Sequence, residues 1–201
     1  MQLILWMLFA YLAGSISFAI VLAKVCGMDD PRTYGSNNPG ATNMLRSGRK
    51  GVALLTLLGD AFKGFLPVYL ASRYGELSIL SLSLVALAAF VGHLYPVFFK
   101  FVGGKGVATF LGVVLGLSAQ IGWMTALVWL LVAVLTRYSS LSSMLCSVFA
   151  LFGLMYLWGV GFWMLAFVAM VGLLFYRHRA NITKLLAGQE SKLFAKKIAS
   201  D

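Results

Sequence analysis

Long apolar runs separated by short polar stretches constrain this 201-residue chain more than any other feature. Crossing a hydrocarbon core about 30 Å thick takes roughly 20 helical residues. Runs of this kind predict helices at about 1–23, 52–71, 78–99, 106–119, 121–136, 141–158 and 160–176. The stretch 106–136 is the ambiguous one. As a single helix it would reach about 46 Å, too long for one comfortable span. Ser118, Gln120 and Gly122 mark a break in its middle. A mean hydropathy of +0.90, with only 11% charged residues, excludes an ordinary soluble domain. The expected fold is all-α: one integral membrane domain over 1–201, a bundle of seven transmembrane helices. The N-terminal run has no basic n-region and no convincing small-residue cleavage site, so it reads as a retained helix.

Charge sets the orientation. Lys and Arg collect in the cytoplasmic loops of membrane proteins. With seven helices one face receives Lys24, Arg32, Arg46, Arg49, Lys50, Lys100, Lys105, Arg137, Arg177, Arg179, Lys184, Lys192, Lys196 and Lys197, which is 14 of the 16 basic residues. The other face receives Arg73, and Lys63 lies inside a helix. Six helices would put the basic tail on the wrong side. Five keep the parity but require 141–176 to cross once. The reading is a periplasmic N-terminus and a cytoplasmic C-terminus. The net charge of +10 then needs no nucleic acid, because the basic residues sit in short loops and no nucleic-acid module appears. Cys26 and Cys146 have no C-x-x-C spacing. No acidic cluster suggests a divalent metal, and no cofactor is expected.

Three polar islands interrupt the apolar pattern, all on the predicted cytoplasmic face. The first runs from Gly35 to Arg46. Gly35 and Gly40 permit close backbone approach. Ser36, Thr42 and Asn43 offer hydrogen bonds, and Arg46 offers the planar fork that suits phosphate. Turn-making explains Asn38-Pro39-Gly40, but not a segment that avoids carboxylates and ends in Arg. The second island is Gly103-Gly104-Lys105-Gly106-Val107-Ala108-Thr109. It lacks the spacing of a nucleotide P-loop. Glycines around a lysine, just before an apolar helix, still expose N–H groups at a positive helix end. A tight turn with a snorkelling Lys is the plainer alternative. The third island holds His178 and Asn181, which share a face if helical. Arg177 and Arg179 then point elsewhere, toward lipid head groups. Glu190 follows, as a partner for a nearby basic residue.

Asp60 and Lys63, at i and i+3 within a helix, read as a structural ion pair. His93 reads as a helix-terminal hydrogen bonder. Ser139, Ser140, Ser142 and Ser143 open a helix on the cytoplasmic side. Capping is their plain role, and Ser143 is the one expected to reach the phosphate site. The acid–base pair His-x4-Asp is absent, since Phe98 and Thr183 stand five residues beyond the two histidines. No Gly-x-Ser-x-Gly nucleophile turn occurs either.

At these residues the chain resembles the bacterial acyl-phosphate:glycerol-3-phosphate acyltransferases of the PlsY family. The three islands look like that family's three motifs, in order, the third continuing through Ile182 and Leu185 to Gly188-x-Glu190. The similarity also covers Gly14-Ser15-Ile16, His93-Leu94-Tyr95-Pro96 and Arg137-Tyr138. Asn37 stands where the family has a small residue, often Gly. The resemblance implies transfer of a fatty acyl group from acyl phosphate to the 1-hydroxyl of glycerol 3-phosphate, giving lysophosphatidate and phosphate, the first step of phospholipid biosynthesis. It implies a multi-pass protein of the bacterial inner membrane, active at its cytoplasmic face, in contact with membrane lipid and with no obligate protein partner. Ser36, Arg46, Lys105, His178 and Asn181 would hold the phosphate groups and orient the acceptor. Gly103, Gly104 and Gly106 would form the acyl-phosphate loop, with Thr109 nearby. Gly35, Asn38, Thr42, Asn43 and Ser143 would be further substrate contacts. The hydroxyl proton goes either to a substrate phosphate oxygen, the preferred route, or to His178. A transporter for a small anion is the reading from another class. Against it, the islands lie at one face, and no inverted repeat appears. A lipid-binding scaffold would leave the Gly-Gly-Lys-Gly loop unexplained.

Overall fold

A computed structural model describes residues 1–193; Lys196 and Lys197 of the basic tail lie outside the described residues. Among the described residues the secondary structure is helical, without strands. The apolar runs become α1 (Gln2–Gly14), α2 (Phe18–Val25), α4 (Lys50–Tyr74), α5 (Ile79–Leu94), α6 (Val107–Leu117), α7 (Ala119–Thr136), α8 (Ser139–Trp158) and α9 (Trp163–Arg177). Two short helices were not assigned from the sequence: α3 (Ala41–Arg46) and α10 (Arg179–Leu186). Both lie in polar islands, where no apolar period announces them. Among the described residues four stretches are long and apolar enough to cross a membrane: Lys50–Tyr74, Ile79–Phe99, Ala119–Thr136 and Ser139–Trp158. The α1–α2 pair makes a fifth, and α6 and α9 are apolar but shorter.

The helix expected over 1–23 is broken. α1 and α2 meet at 42°. Ser15 turns its hydroxyl back onto the Tyr11 carbonyl at 2.8 Å, and Ser17 is extended. A break at membrane depth leaves backbone groups that lipid cannot satisfy. Lys63 answers one of them, donating from Nζ to the Ile16 carbonyl at 2.6 Å while pairing with Asp60 Oδ1 at 2.8 Å. The expected ion pair is present, and the break explains its place. The cation faces the negative end of α1, where a helix dipole favours it.

The break expected inside 106–136 falls at Ser118, which is extended and accepts the Ile121 N–H at 3.4 Å. α5 stops at Leu94 rather than 99, because the residue before Pro96 avoids the helical region. A 3-10 turn over Val97–Phe99 follows.

Small residues let the helices close. A methyl group on Gly112 of α6 would overlap the Ala61 carbonyl of α4, and one on Gly64 would overlap the Thr109 carbonyl. Gly14 and Gly92 play the same part between α1 and α5. This is the close approach that membrane helices reach with small side chains. An edge-to-face aromatic series, Phe90–Phe110–Phe167–Trp163, fills the centre between α5, α6 and α9. The α4–α6 and α5–α9 contacts bring the three islands to one end of the bundle.

Candidate active site

The first island is a folded loop, not a string of ligands. Asn43, buried at the start of α3, is its clasp. Its Oδ1 accepts the Ser36 N–H at 2.9 Å, and its Nδ2 donates to the carbonyls of Pro31 at 2.8 Å and Tyr34 at 3.2 Å. Asn43 was expected to touch substrate; the structure occupies both ends of its amide with backbone. Gly35, at φ +62, lies against that amide, where a side chain would collide. Ser36 is left exposed, with Asn38 beside it partly buried. Asn37 takes φ +54. Asn tolerates this left-handed conformation better than most residues, so it stands in for glycine there. Arg46 ends α3 with its side chain exposed. Thr42 Oγ1 meets Ser139 Oγ at 3.3 Å, tying this island to α8.

The second island is held by its carbonyls. Arg177, at the end of α9, donates from Nε to the Gly104 carbonyl at 3.0 Å and from Nη2 to that of Gly103. Its guanidinium also lies 5.7 Å from the centre of the Tyr95 ring. Arg177 was expected among lipid head groups; it is instead the clamp of the glycine loop. Nothing in the sequence pairs it with residues 73 and 74 positions away. Gly106, at φ +85, opens α6 against the rings and methyls of Phe90 and Leu94. A side chain on Gly104 would meet the Pro39 carbonyl at 2.9 Å, so islands one and two touch here. Thr109 was expected near the substrate. Its hydroxyl is fully buried and donates to the Asp60 carbonyl at 2.9 Å, within the α4–α6 crossing.

Lys105 joins the second island to the third. Its Nζ donates to Asn181 Oδ1 at 2.5 Å. Asn181 Nδ2 donates to Glu190 Oε1 at 2.7 Å, which also accepts from the Ser140 hydroxyl at 2.7 Å. Glu190 thus fixes the amide so that its oxygen faces the ammonium. Ser140 is the serine of α8 that reaches this Lys105–Asn181–Glu190 group. Ser143, expected there, donates to the Ser139 carbonyl at 2.7 Å and accepts from Trp129 Nε1 at 3.2 Å. The two serines are three positions apart, so Ser143 lies about 4.5 Å further along α8 and about 60° around it.

The electrostatics follow from burial. Desolvation pushes Lys105 from 10.5 down to about 8; Glu190 opposes this, while Arg46, Arg177 and Lys184 add to it. His178 is pushed from 6.5 to about 4, first by burial, with the Leu174 carbonyl opposing and Lys105 adding to it. Its Nδ1 lies 2.8 Å from that carbonyl. A carbonyl only accepts, so Nδ1 carries the proton and Nε2 keeps a lone pair. At neutral pH the site therefore offers an ammonium, guanidinium groups, loop N–H groups and a neutral imidazole acceptor. One carboxylate, Glu190, is engaged by Asn181 and Ser140.

A membrane-embedded helical bundle carrying such a cluster at one end defines an integral membrane enzyme for phosphate-bearing substrates. Residues 4–188 match the model of the family described as glycerol-3-phosphate acyltransferase. A glycerol-3-phosphate acyltransferase of Burkholderia multivorans is 53% identical over 202 residues, covering 100% of this chain and 95% of that protein. One from Paraburkholderia phytofirmans is 52% identical, covering 99% and 94%. The crystal structure of PlsY, an integral membrane glycerol 3-phosphate acyltransferase, in its glycerol 3-phosphate form, has a TM-score of 0.88 at 39% identity and covers 96% of both chains. The chain belongs to the glycerol-3-phosphate acyltransferase family.

Proposed function

We propose that the protein moves a fatty acyl group from acyl phosphate to the 1-hydroxyl of sn-glycerol 3-phosphate, the first step of phospholipid biosynthesis. The products are 1-acyl-sn-glycerol 3-phosphate and phosphate. A PlsY structure is described in a lysophosphatidic acid form, at a TM-score of 0.86 and 39% identity. The observation that carries the reading is the Lys105–Asn181 bond, which links islands 76 residues apart into one cationic cluster. Its basic groups suit two phosphates at once, one on each substrate.

Acyl phosphate is a mixed anhydride and arrives activated. Ser36, Arg46 and Lys105 hold the phosphates, Asn181 positions the Lys105 ammonium, and His178 helps bring the acceptor hydroxyl to the acyl carbon. Gly103, Gly104 and Gly106 let the loop backbone close on the donor. Gly35, Asn38 and Thr42 shape the first island's side of the site. The hydroxyl oxygen bonds to the carbonyl carbon, the carbon–oxygen bond to phosphate breaks, and phosphate leaves with the bonding pair. Orientation and charge stabilisation lower the barrier. The proton passes to a phosphate oxygen. His178, with its basicity lowered, is a poor general base at neutral pH. Its Nε2 suits it to accept a hydrogen bond and orient the hydroxyl.

The protein is one domain that crosses the inner membrane seven times, with its N-terminus periplasmic and its C-terminus and active site cytoplasmic. The charge asymmetry and the apolar character of α6 and α9 support this count.

The test is purified protein in detergent, given palmitoyl phosphate and labelled glycerol 3-phosphate. Labelled lysophosphatidate and free phosphate should appear in equal amounts. Phosphate release without labelled lipid, or no turnover, would contradict the assignment.

A further inference from the structure

We infer that His93 is a positioning residue for the glycine loop, its imidazole being the floor on which Gly104 rests. The inference rests on the function proposed above. It starts from a buried polar cluster that the chemistry does not use. Asp60, Lys63 and His93 lie below the loop, each 6% exposed or less. Charges at such depth are costly and carry a purpose when present. Stability alone rarely explains a buried pair, since apolar residues often serve as well.

The cluster joins α4 to the α1–α2 break, to α5 and to α6. Lys63 holds the Ile16 carbonyl at the α1–α2 break. The Asp60 carbonyl receives the Thr109 hydroxyl from α6. Asp60 Oδ1 lies 3.8 Å from His93 Nδ1, on the last turn of α5. His93 then meets the loop twice. Its carbonyl accepts the Gly104 N–H at 3.2 Å. Its ring Nε2 lies where a Gly104 side chain would be, and its carbonyl lies where a Gly103 side chain would be. The helix-terminal hydrogen bond expected of His93 is made by its carbonyl, not its ring. The ring Nδ1 is without a hydrogen-bond partner among the described residues, and the ring stands between the carboxylate and the loop.

The division of labour is then specific. Arg177 pulls the Gly103 and Gly104 carbonyls from one side, and His93 supports the backbone from below. The ring sets how deep Gly104 can settle. A smaller residue at 93 lets the loop sink, and its backbone draws away from the donor. A methyl at 104 pushes the loop off the ring.

These two errors have opposite signs, so they should compensate. The experiment is a double-mutant cycle on kcat/KM for palmitoyl phosphate at saturating glycerol 3-phosphate, using His93→Ala, Gly104→Ala and both together. Each single change should lower kcat/KM. The double variant should be more active than the product of the two losses predicts, by at least about fivefold. His93→Asn, smaller than His yet polar, repeats the cycle if His93→Ala does not fold. A double variant whose loss equals the product of the singles overturns the inference. Wild-type protein that fails to turn over palmitoyl phosphate would instead overturn the functional reading.

Discussion

Lys105 stands under two opposed demands. Burial and three neighbouring cations favour its neutral form, yet the proposed contact with phosphate needs the ammonium. Its folded pKa, lowered to about 8, lies below the ordinary 10.5, so charge is lost as pH rises through about 8. The kcat/KM of the free enzyme should therefore fall on the alkaline side with a limb near that value. Lys105→Arg keeps the charge at all accessible pH values. Whatever activity it retains should lack the limb. A limb unchanged in Lys105→Arg would assign it to another group. The acid side tests the proton's destination. If a substrate phosphate accepts it, His178→Ala should be weak but keep an acid limb near the second phosphate pKa of about 6. Loss of that limb with His178 would make the imidazole the base.

Some of these residues were readable before any fold was known, and others were not. Lys105, His178, Asn181 and Arg46 announce themselves as polar groups in an apolar chain. Asn43 and Thr109 do so equally, yet their side chains serve backbone carbonyls and a Ser36 N–H. Sequence cannot separate a polar group facing substrate from one facing backbone, because both are hydrophilic interruptions of the same pattern. Arg177 shows the reverse error. A cation at the end of an apolar helix fits a membrane anchor, and only the packing of α9 against the glycine loop reveals the clamp.

At the scale of elements, the close crossing of α4 and α6 decides where the glycine loop sits. Gly112 faces the Ala61 carbonyl and Gly116 faces Phe65. Gly112→Ala should force the two helices apart, at a cost of about 1–3 kcal/mol. The melting temperature in detergent should drop by several degrees, and activity should fall with it as the loop loses register. An unchanged melting temperature would mean that the crossing is looser than described. Hydrophobic runs revealed the helices, including the break at Ser118. They did not reveal the break at Ser15–Ser17, because Gly14-Ser15-Ile16-Ser17 is apolar enough to continue a span. The clue was the Asp60–Lys63 pair, a charge pair without an evident partner until the broken helix supplies one.

Across the whole molecule, the charge pattern makes a topological prediction. Reporter fusions at 30, 103, 138 and 201 should report the cytoplasm, and those at 75, 120 and 160 the periplasm. A cytoplasmic signal at 75 or a periplasmic signal at 201 would contradict the orientation. Signals inverted together at 120, 138 and 160 would reduce the count to five, the number that length and composition support directly among the described residues. The same end of the bundle that gathers the basic residues also gathers the phosphate cluster. A lipid-soluble acyl phosphate and a water-soluble acceptor can meet only at such a face.

Choice of acyl donor separates the proposed chemistry from that of acyl-CoA- and acyl-ACP-dependent enzymes. The proposed donor is an activated acyl group carrying a small phosphate, and the sequence has no His-x4-Asp acid–base pair. Purified protein should therefore acylate glycerol 3-phosphate from palmitoyl phosphate, with kcat/KM at least about a hundredfold above that for palmitoyl-CoA or palmitoyl-ACP, or ~2.7 kcal/mol in transition-state binding. Comparable turnover from palmitoyl-CoA, in a preparation free of other acyltransferases, would contradict it.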